Sequence, residues 1–347
     1  MKKTLAALIV SAFAASAANA AVVYDNEGTK VELNGSLRLI LEKADAKKYD
    51  AVGNSTKTAN SALRNAGSRF GITVKHNLDN DFYALGRLES RFDDTESRDQ
   101  FGSLYAKRAY VGLGSKATGD ITFGRQLTIA DDLTQANDYE YGFIPKGKYI
   151  PTSGTGVVRY DYKGIEGLQL SANYNFGQTN DEKGNPLKPG IKNAYAVGAL
   201  YTAGDLDARF AYGHTSFETD ASYKHRLDGF LASLGYKFGD FKLTGDFGYA
   251  HVKKDSDKTN KFYVSPGFAY QVTPASQVYG NYLYERVKGE ADKDKTHGFL
   301  LGADYKLHKQ VVLFVEGKYV TTKEYVNDSY DGKTKDRAIG VGMRVFF

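Results

Sequence analysis

The sequence holds 347 residues, with 46 Lys and Arg against 41 Asp and Glu, six His and no Cys. A charge so nearly balanced leaves no clustered basic footprint for nucleic acid, and a chain without Cys has neither a disulfide framework nor a thiolate site. Mean hydropathy of −0.46, with no apolar run near 20 residues, excludes membrane-spanning helices, while 26 Tyr, 20 Phe and 37 Gly with only 6 Pro suit long antiparallel strands.

The first twenty residues, MKKTLAALIVSAFAASAANA, carry Lys2 and Lys3, an apolar run from Leu5 to Phe13, and the small-x-small ending Ala18-Asn19-Ala20. This predicts a secretory leader over 1–20, cleaved after Ala20, and a folded unit over 21–347. Without Lys2 and Lys3 the net charge is +3.

Period-two alternation then begins at once. VELNGSLRLIL sets Val31, Leu33, Leu37, Leu39 and Leu41 against Glu32, Asn34, Ser36 and Arg38. RFGITVKHN sets Phe70, Ile72 and Val74 against Arg69, Thr73 and Lys75; FYALGRLESRF sets Phe82, Ala84, Leu88 and Phe92 against Tyr83, Arg87, Glu89 and Arg91. The pattern recurs in LQLSANYNF, LDARFAYGH, FKLTGDFGYAH, KFYVSPGFAYQV and HGFLLGADYKL. It returns in RAIGVGMRVFF, where Ile339, Val341, Met343, Val345 and Phe347 alternate with Ala338, Gly340, Gly342 and Arg344. About 16 such segments, each about 10 residues long, fit tilted strands crossing a bilayer.

The connections alternate between two kinds. Tight ones fall at 78–81, 163–167, 203–205, 239–240, 273–276 and 308–310; long, charged ones fall at 43–66, 93–102, 177–192, 252–260, 288–296 and 322–335. Successive strands therefore run up and down between two different ends. The apolar faces need either a second protein layer or lipid. Lipid is favoured because the wet faces hold Arg69, Lys75, Arg87, Glu89 and Arg91, which a dry interior could not keep unpaired. A barrel of ~16 strands leaves an aqueous lumen for them. The prediction is an all-β, 16-stranded antiparallel transmembrane β-barrel, with Phe347 toward the membrane and Arg344 toward water.

At this point the chain resembles the general, trimeric porins of Gram-negative outer membranes, most closely the major porins of Haemophilus and Pasteurella. The stretches that carry the resemblance are AVVYDNEGTKVELNGSLRL at 21–39, RFGI at 69–72, KRAYVGLGSKATGDITFGRQ at 107–126, YIPTSG at 149–154, VVRYDYKGIEGL at 157–168, and Phe347. The resemblance implies a homotrimer with short periplasmic turns, long extracellular loops and a third loop folded into each lumen. It implies passive passage of ions and small hydrophilic solutes, contact with outer-membrane lipid and lipopolysaccharide, and Phe347 as a signal to the barrel-assembly machinery. No cofactor, metal or nucleic-acid partner is implied.

A passive pore needs a narrow place with a field across it. Residues 126–156 are too long and too weakly alternating for a strand, and an irregular segment of that length is usually functional or disordered. By position this is the family's third loop, carrying Asp131, Asp132, Asp138 and Glu140, and EYG at 140–142 looks like the family's acid–aromatic–Gly step, without the Pro that usually precedes it. Parity puts Arg38, Lys75, Arg87, Arg91 and Arg159 on the lumen face together with Arg69. Arg69 also matches a family wall arginine through RFGI, and Lys107 matches another by its distance from AYVGL. A family lysine on the first strand reads Ser36 here, with Arg38 one lumen-facing step later. Asp131 and Asp132 have the alternative of capping a short helical turn. With Lys107 inward, Arg108 faces outward, as does Arg125, so these two are candidates for a subunit interface.

Three rival functions remain. A barrel hydrolase needs Ser, His and an acid together, and the six His residues share no such motif. A solute-specific channel needs an aromatic track, for which Tyr83, Tyr105 and Tyr263 are sparse. A plugged structural barrel would usually be shorter or carry an added domain.

Overall fold

The computed structural model describes residues 20–93, 101–219 and 224–347. The predicted leader lies outside them except for Ala20, as does most of the predicted loop at 93–102. Strands β1 (Ala21–Asn26), β2 (Thr29–Asp50), β3 (Ser55–Asn65) and β4 (Arg69–Asn77) open the chain. β5 (Phe82–Phe92), β6 (Leu104–Ser115), β7 (Gly119–Leu127), β8 (Ser153–Ile165), β9 (Leu168–Asn175), β10 (Gln178–Asn180) and β11 (Pro186–Ala203) follow. The rest of the wall is β12 (Leu206–Phe217), β13 (His225–Phe238), β14 (Phe241–Lys254), β15 (Asp257–Thr273) and β16 (Ser276–Lys288), then β17 (Asp292–His308), β18 (Val311–Val326) and β19 (Ser329–Phe346).

These strands make a closed antiparallel barrel with sixteen wall positions. β3 and β4 share one position, because both pair with β2, and β9 and β10 share another against β11. Closure runs from Gly332↔Asp50 to Phe346↔Ser36, and β1 continues the same flank of β2 from Ala21↔Leu33. Between the two, Gly35 and Phe347 exchange N–H···O bonds of 2.8 and 3.1 Å. A closed ladder leaves no unpaired edge, which lipid requires.

Polarity is inverted relative to a water-soluble sheet. Leu41 (61% exposed), Val111 (63%), Leu301 (60%) and Ile339 (58%) point outward, while Glu89, Arg108, Asp246 and Glu316 are buried on the inner side. Alternation that would line a core in a sandwich here meets acyl chains outside and water within.

Turns at one end are tight: 166–167, 204–205, 239–240, 274–275 and 309–310. At the other end, much of what the sequence presents as charged loop is paired strand. β2 continues to Asp50 and returns through β3, and β18 and β19 meet at Asn327-Asp328. Both of these residues have left-handed backbone (φ 47° and 62°), the geometry of a two-residue hairpin turn that Asn and Asp tolerate. Above the membrane both faces of a strand meet water, so the ladder persists after hydrophobic alternation has gone. The sequence signal is lost before the strand ends.

Closure generates a prediction. A Cβ on Gly35 would stand 2.5 Å from the Phe347 ring and 2.8 Å from the Arg69 carbonyl. Gly35→Val should lower stability by about 1–3 kcal/mol through overpacking, read as a lower urea midpoint in the gel mobility of unheated, refolded barrel. An unchanged midpoint would show that the seam tolerates the added bulk.

Candidate pore constriction

Residues 128–152 leave β7 and enter the barrel. At the neck, Thr128 Oγ1 donates to the Pro151 carbonyl at 2.6 Å and accepts from Ala130 N at 3.3 Å, capping the 3-10 turn Ile129–Leu133. The cap is therefore Thr128, and Asp131 and Asp132 sit in the first turn behind it. Ile129, Ala130, Leu133, Tyr149 and Ile150 bury against Ala196, Ala211, Leu231 and Ala250 of the inner wall. Gly229 makes the closest approach possible: a Cβ there would lie 2.0 Å from the Tyr149 carbonyl. Small inward residues on β11 to β14 thus form a bed for the loop.

Wall carboxylates hold the loop's main chain. Glu316, 1% exposed, accepts from Tyr139 N (2.7 Å), Glu140 N (2.8 Å), Tyr141 N (2.6 Å) and the Tyr279 hydroxyl (2.8 Å). Asp246 accepts from Gln135 N at 2.9 Å and Ala136 N at 3.2 Å. Arg209 donates to the Asp132 carbonyl at 2.7 Å and Asn281 to the Asn137 carbonyl at 2.7 Å. Hydrogen bonds to a charged acceptor are the strong kind, and such a segment would otherwise leave its amides unmatched. Tyr139 stacks on Phe314 at 4.7 Å, and Tyr149 meets Tyr263 edge-on at 4.9 Å. Tyr263 therefore packs the loop and is no element of a solute track.

The loop lies mainly against β11 to β18, with its tip reaching Glu42 and Arg64, and leaves a cavity of about 820 Å³ toward β19, β2 and β4 to β8. Arg38, Arg69, Arg87, Arg91 and Arg159 line it, with Asp131 and Asp132 from the loop. Arg87 and Arg91 reach Glu89 at 3.0 and 2.8 Å; Arg159 reaches Asp132 at 2.7 Å and Asp161 at 2.9 Å. Asp131 pairs with Lys146 at 3.2 Å. Glu140 lies outside the cavity lining, because Arg64 takes it at 2.5 Å while also holding Glu42 through two bonds of 2.8 and 2.7 Å. Asp138 is also outside the lining, exposed and set against Gly142. Burial pushes the carboxyls of Asp132 and Glu140 above the ordinary range, against the pull of Arg159 and Arg64.

Two predicted positions are corrected by register. Glu89 pairs with Arg108 and Ser90 with Ala106, so Lys107 is the extra residue of a β-bulge and the parity counted through it flips. Arg108 consequently faces the lumen, buried, with Glu182 at 3.0 Å. Lys107, half-buried, also pairs with Glu182 and does not line the cavity. Arg125 does turn outward, opposite Ala109, but its guanidinium donates to the carbonyls of Ala106 (3.1 Å) and Glu182 (3.0 Å).

Other functional residues went unmarked in the sequence. Arg64 stands in a stretch that reads as loop, and Arg209, Arg344 and Glu316 sit on strands whose inner parity was available but whose partners were not. One arrangement runs against the expectation of scattered His residues: His214 lies 2.6 Å from Asp228 and 3.2 Å from Ser216 on the outer face. Strand parity places Ser216 beside His214, and pairing brings Asp228 opposite. β12 is laddered on both sides there, so its amides are engaged and provide no oxyanion hole; Tyr212 also binds Asp228, at 3.0 Å. The trio is a hydrogen-bonded edge of the aromatic surface.

A family model described as Gram-negative porin matches residues 4–340. The major outer membrane protein of Pasteurella multocida strain Pm70 is 32% identical over 374 aligned residues, covering 100% of both chains; another P. multocida major outer membrane protein is 31% identical over 369, again covering both. Among solved structures, in-vitro folded OmpT of Vibrio cholerae in a trimer form superposes with a TM-score of 0.69 at 19% identity, covering 92% of this chain and 100% of that one.

The clamp makes a prediction. Removing a carboxylate that bonds three amides should release the loop tip, each charged hydrogen bond being worth about 1.5–3 kcal/mol. Glu316→Ala should give noisier and larger single-channel steps than the parent, with Glu316→Gln intermediate, in planar bilayers. Identical open-level noise in all three would remove Glu316 from loop positioning.

Proposed function

Because the chain belongs to the Gram-negative porin family, general diffusion channels of the outer membrane, we propose that the loop over 128–152 is its filter, narrowing the lumen against a basic wall. The observation that carries the reading is the asymmetry of the lumen. One side is filled by a loop clamped to Asp246 and Glu316; the other stays open and is lined by Arg38, Arg69, Arg87 and Arg159. Passage is passive: ions and small hydrophilic solutes are sorted by size through the gap and by charge through its walls. A solute-specific channel finds less support, since Tyr263 packs against the loop and the Tyr83 hydroxyl is engaged by Asp120.

The assembly reading is a homotrimer, supported by the trimer form of the similar V. cholerae protein. For the lipid partner, register supports a basic belt on the outer face. Arg286, Lys295, Lys323 and Lys333 are directly opposite one another across β16 to β19, and Arg226, Lys253 and Lys258 across β13 to β15. Like charges so aligned destabilise a sheet unless anions intervene, and lipopolysaccharide phosphates are anions at that level. Phe347 remains the proposed assembly signal.

Liposome swelling tests the filter. Rates should fall steeply as neutral sugars grow, and Glu316→Ala should move the cut-off toward larger sugars. A cut-off that is the same in parent and variant would mean that the loop does not set the aperture.

A further inference from the structure

Charge at the narrowing is unevenly matched. Arg87 and Arg91 share Glu89, Arg159 has Asp132 and Asp161, and Arg209 has Asp207 at 2.5 Å. Arg38, Arg69 and Arg344 differ. Arg38 Nε donates to Ser36 Oγ at 2.7 Å, Arg69 Nε donates to the Gly67 carbonyl at 3.0 Å, and Arg344 donates to the Tyr139 carbonyl. Among the described residues, neither Arg38 nor Arg344 has a carboxylate at ion-pair distance, and Arg69 has only Glu89, at 3.9 Å. The buried Nε of Arg344 has no hydrogen-bond partner.

Register makes these three neighbours. Arg344 is directly opposite Arg38; Ser36, one inward step from Arg38, is opposite Arg69; and Arg69 is opposite Arg91. Opposed residues on one face have Cβ atoms about 4.5–5.5 Å apart, close enough for like charges to repel. Among the described residues no loop carboxylate reaches these three at ion-pair distance: Asp132, Glu140 and Asp131 are taken by Arg159, Arg64 and Lys146, and Glu140 and Asp138 act on Arg344 only through space. The exposed Asp138 is outside the cavity lining, and the wall carboxylate nearest the loop tip, Glu316, is saturated by main-chain amides. The cavity as a whole is lined by nine basic and five acidic side chains.

We propose that Arg38, Arg69 and Arg344 form an open oxyanion site at the narrowing, and that the pore prefers anions, retaining phosphate and carboxylate groups there in passing. This rests on the diffusion-channel reading. Planar guanidinium forks match the oxygens of these groups, and a cleft of one sign between low-dielectric walls concentrates counter-ions. Selectivity then follows from which loop acids are already engaged, rather than from the near-neutral charge of the whole chain.

Reversal potential across planar bilayers in a KCl gradient is the test. Wild type should favour chloride over potassium by at least about twofold, and Arg38→Gln with Arg344→Gln should bring the ratio near unity while open steps persist. Inorganic phosphate added to the wild-type channel should depress chloride current more than in the double variant. A wild-type reversal potential of cation-preferring sign, which needs no variant, overturns the proposal. So does an unchanged ratio in a variant that keeps its folded gel mobility, and equal phosphate effects remove the oxyanion site. In each of these cases conductance steps leave the pore reading intact, whereas the absence of steps in wild type overturns the pore itself.

Discussion

Everything in this barrel depends on a ladder that closes. β2 is the strand that makes closure possible: it pairs with β19 and β1 along one flank and with β3 and β4 along the other. With no free edge, the wall can present Leu and Phe to lipid without exposing peptide groups to it. Sixteen wall positions set a lumen wide enough to stay wet, and a wet lumen is the condition under which Arg38, Arg69 and Arg87 can face inward at all. The charge chemistry is thus a consequence of strand count before it is a property of particular residues.

A wide lumen creates the opposite difficulty, which is how to narrow it with irregular backbone. Loop amides inside a pore have no ladder, and water alone would leave them mobile. Glu316 and Asp246 resolve this by accepting five main-chain N–H groups between them, at 2.6 to 3.2 Å. Alanines and glycines of β11 to β14 let the loop's apolar side settle against the wall. The loop is thereby fixed inside the lumen by acids that act as acceptors for backbone rather than as partners for cations.

The architecture was legible in the sequence because period two survives wherever one face meets lipid; Leu37, Leu39 and Leu41 announce their strand as clearly as Ile339, Val341 and Met343 do. The signal fades where both faces meet water, so β2 beyond the membrane reads as loop and Arg64 on β3 was missed with it. Parity also fails at a bulge. Nothing in KRAYV marks Lys107 as the extra residue, and its register with Glu89 is decided by the neighbouring strand. The four loop acids were visible as a set, but which of them would be engaged depends on side chains tens to hundreds of residues away. Arg64 lies 76 positions from Glu140, and that distance is closed only by the barrel.

These features divide the wall into two halves with different work. The half from β11 to β18 carries the carboxylate clamps and much of the loop's apolar contact; the half from β19 through β2 to β8 carries most of the arginines, three of which, Arg64, Arg159 and Arg344, also reach the loop. The two main-chain clamps, Asp246 on β14 and Glu316 on β18, therefore stand apart from the row of like charges on β19, β2 and β4. Repulsion between Arg344 and Arg38 strains only the seam where β19 meets β2, and there the full ladder from Gly332 to Phe346 outweighs it. A charge row placed beside the clamps would instead compete with the loop amides for Glu316 and Asp246, and the loop would loosen. The open arginines stand where the fold can tolerate them, on the wall of the cavity that the loop leaves.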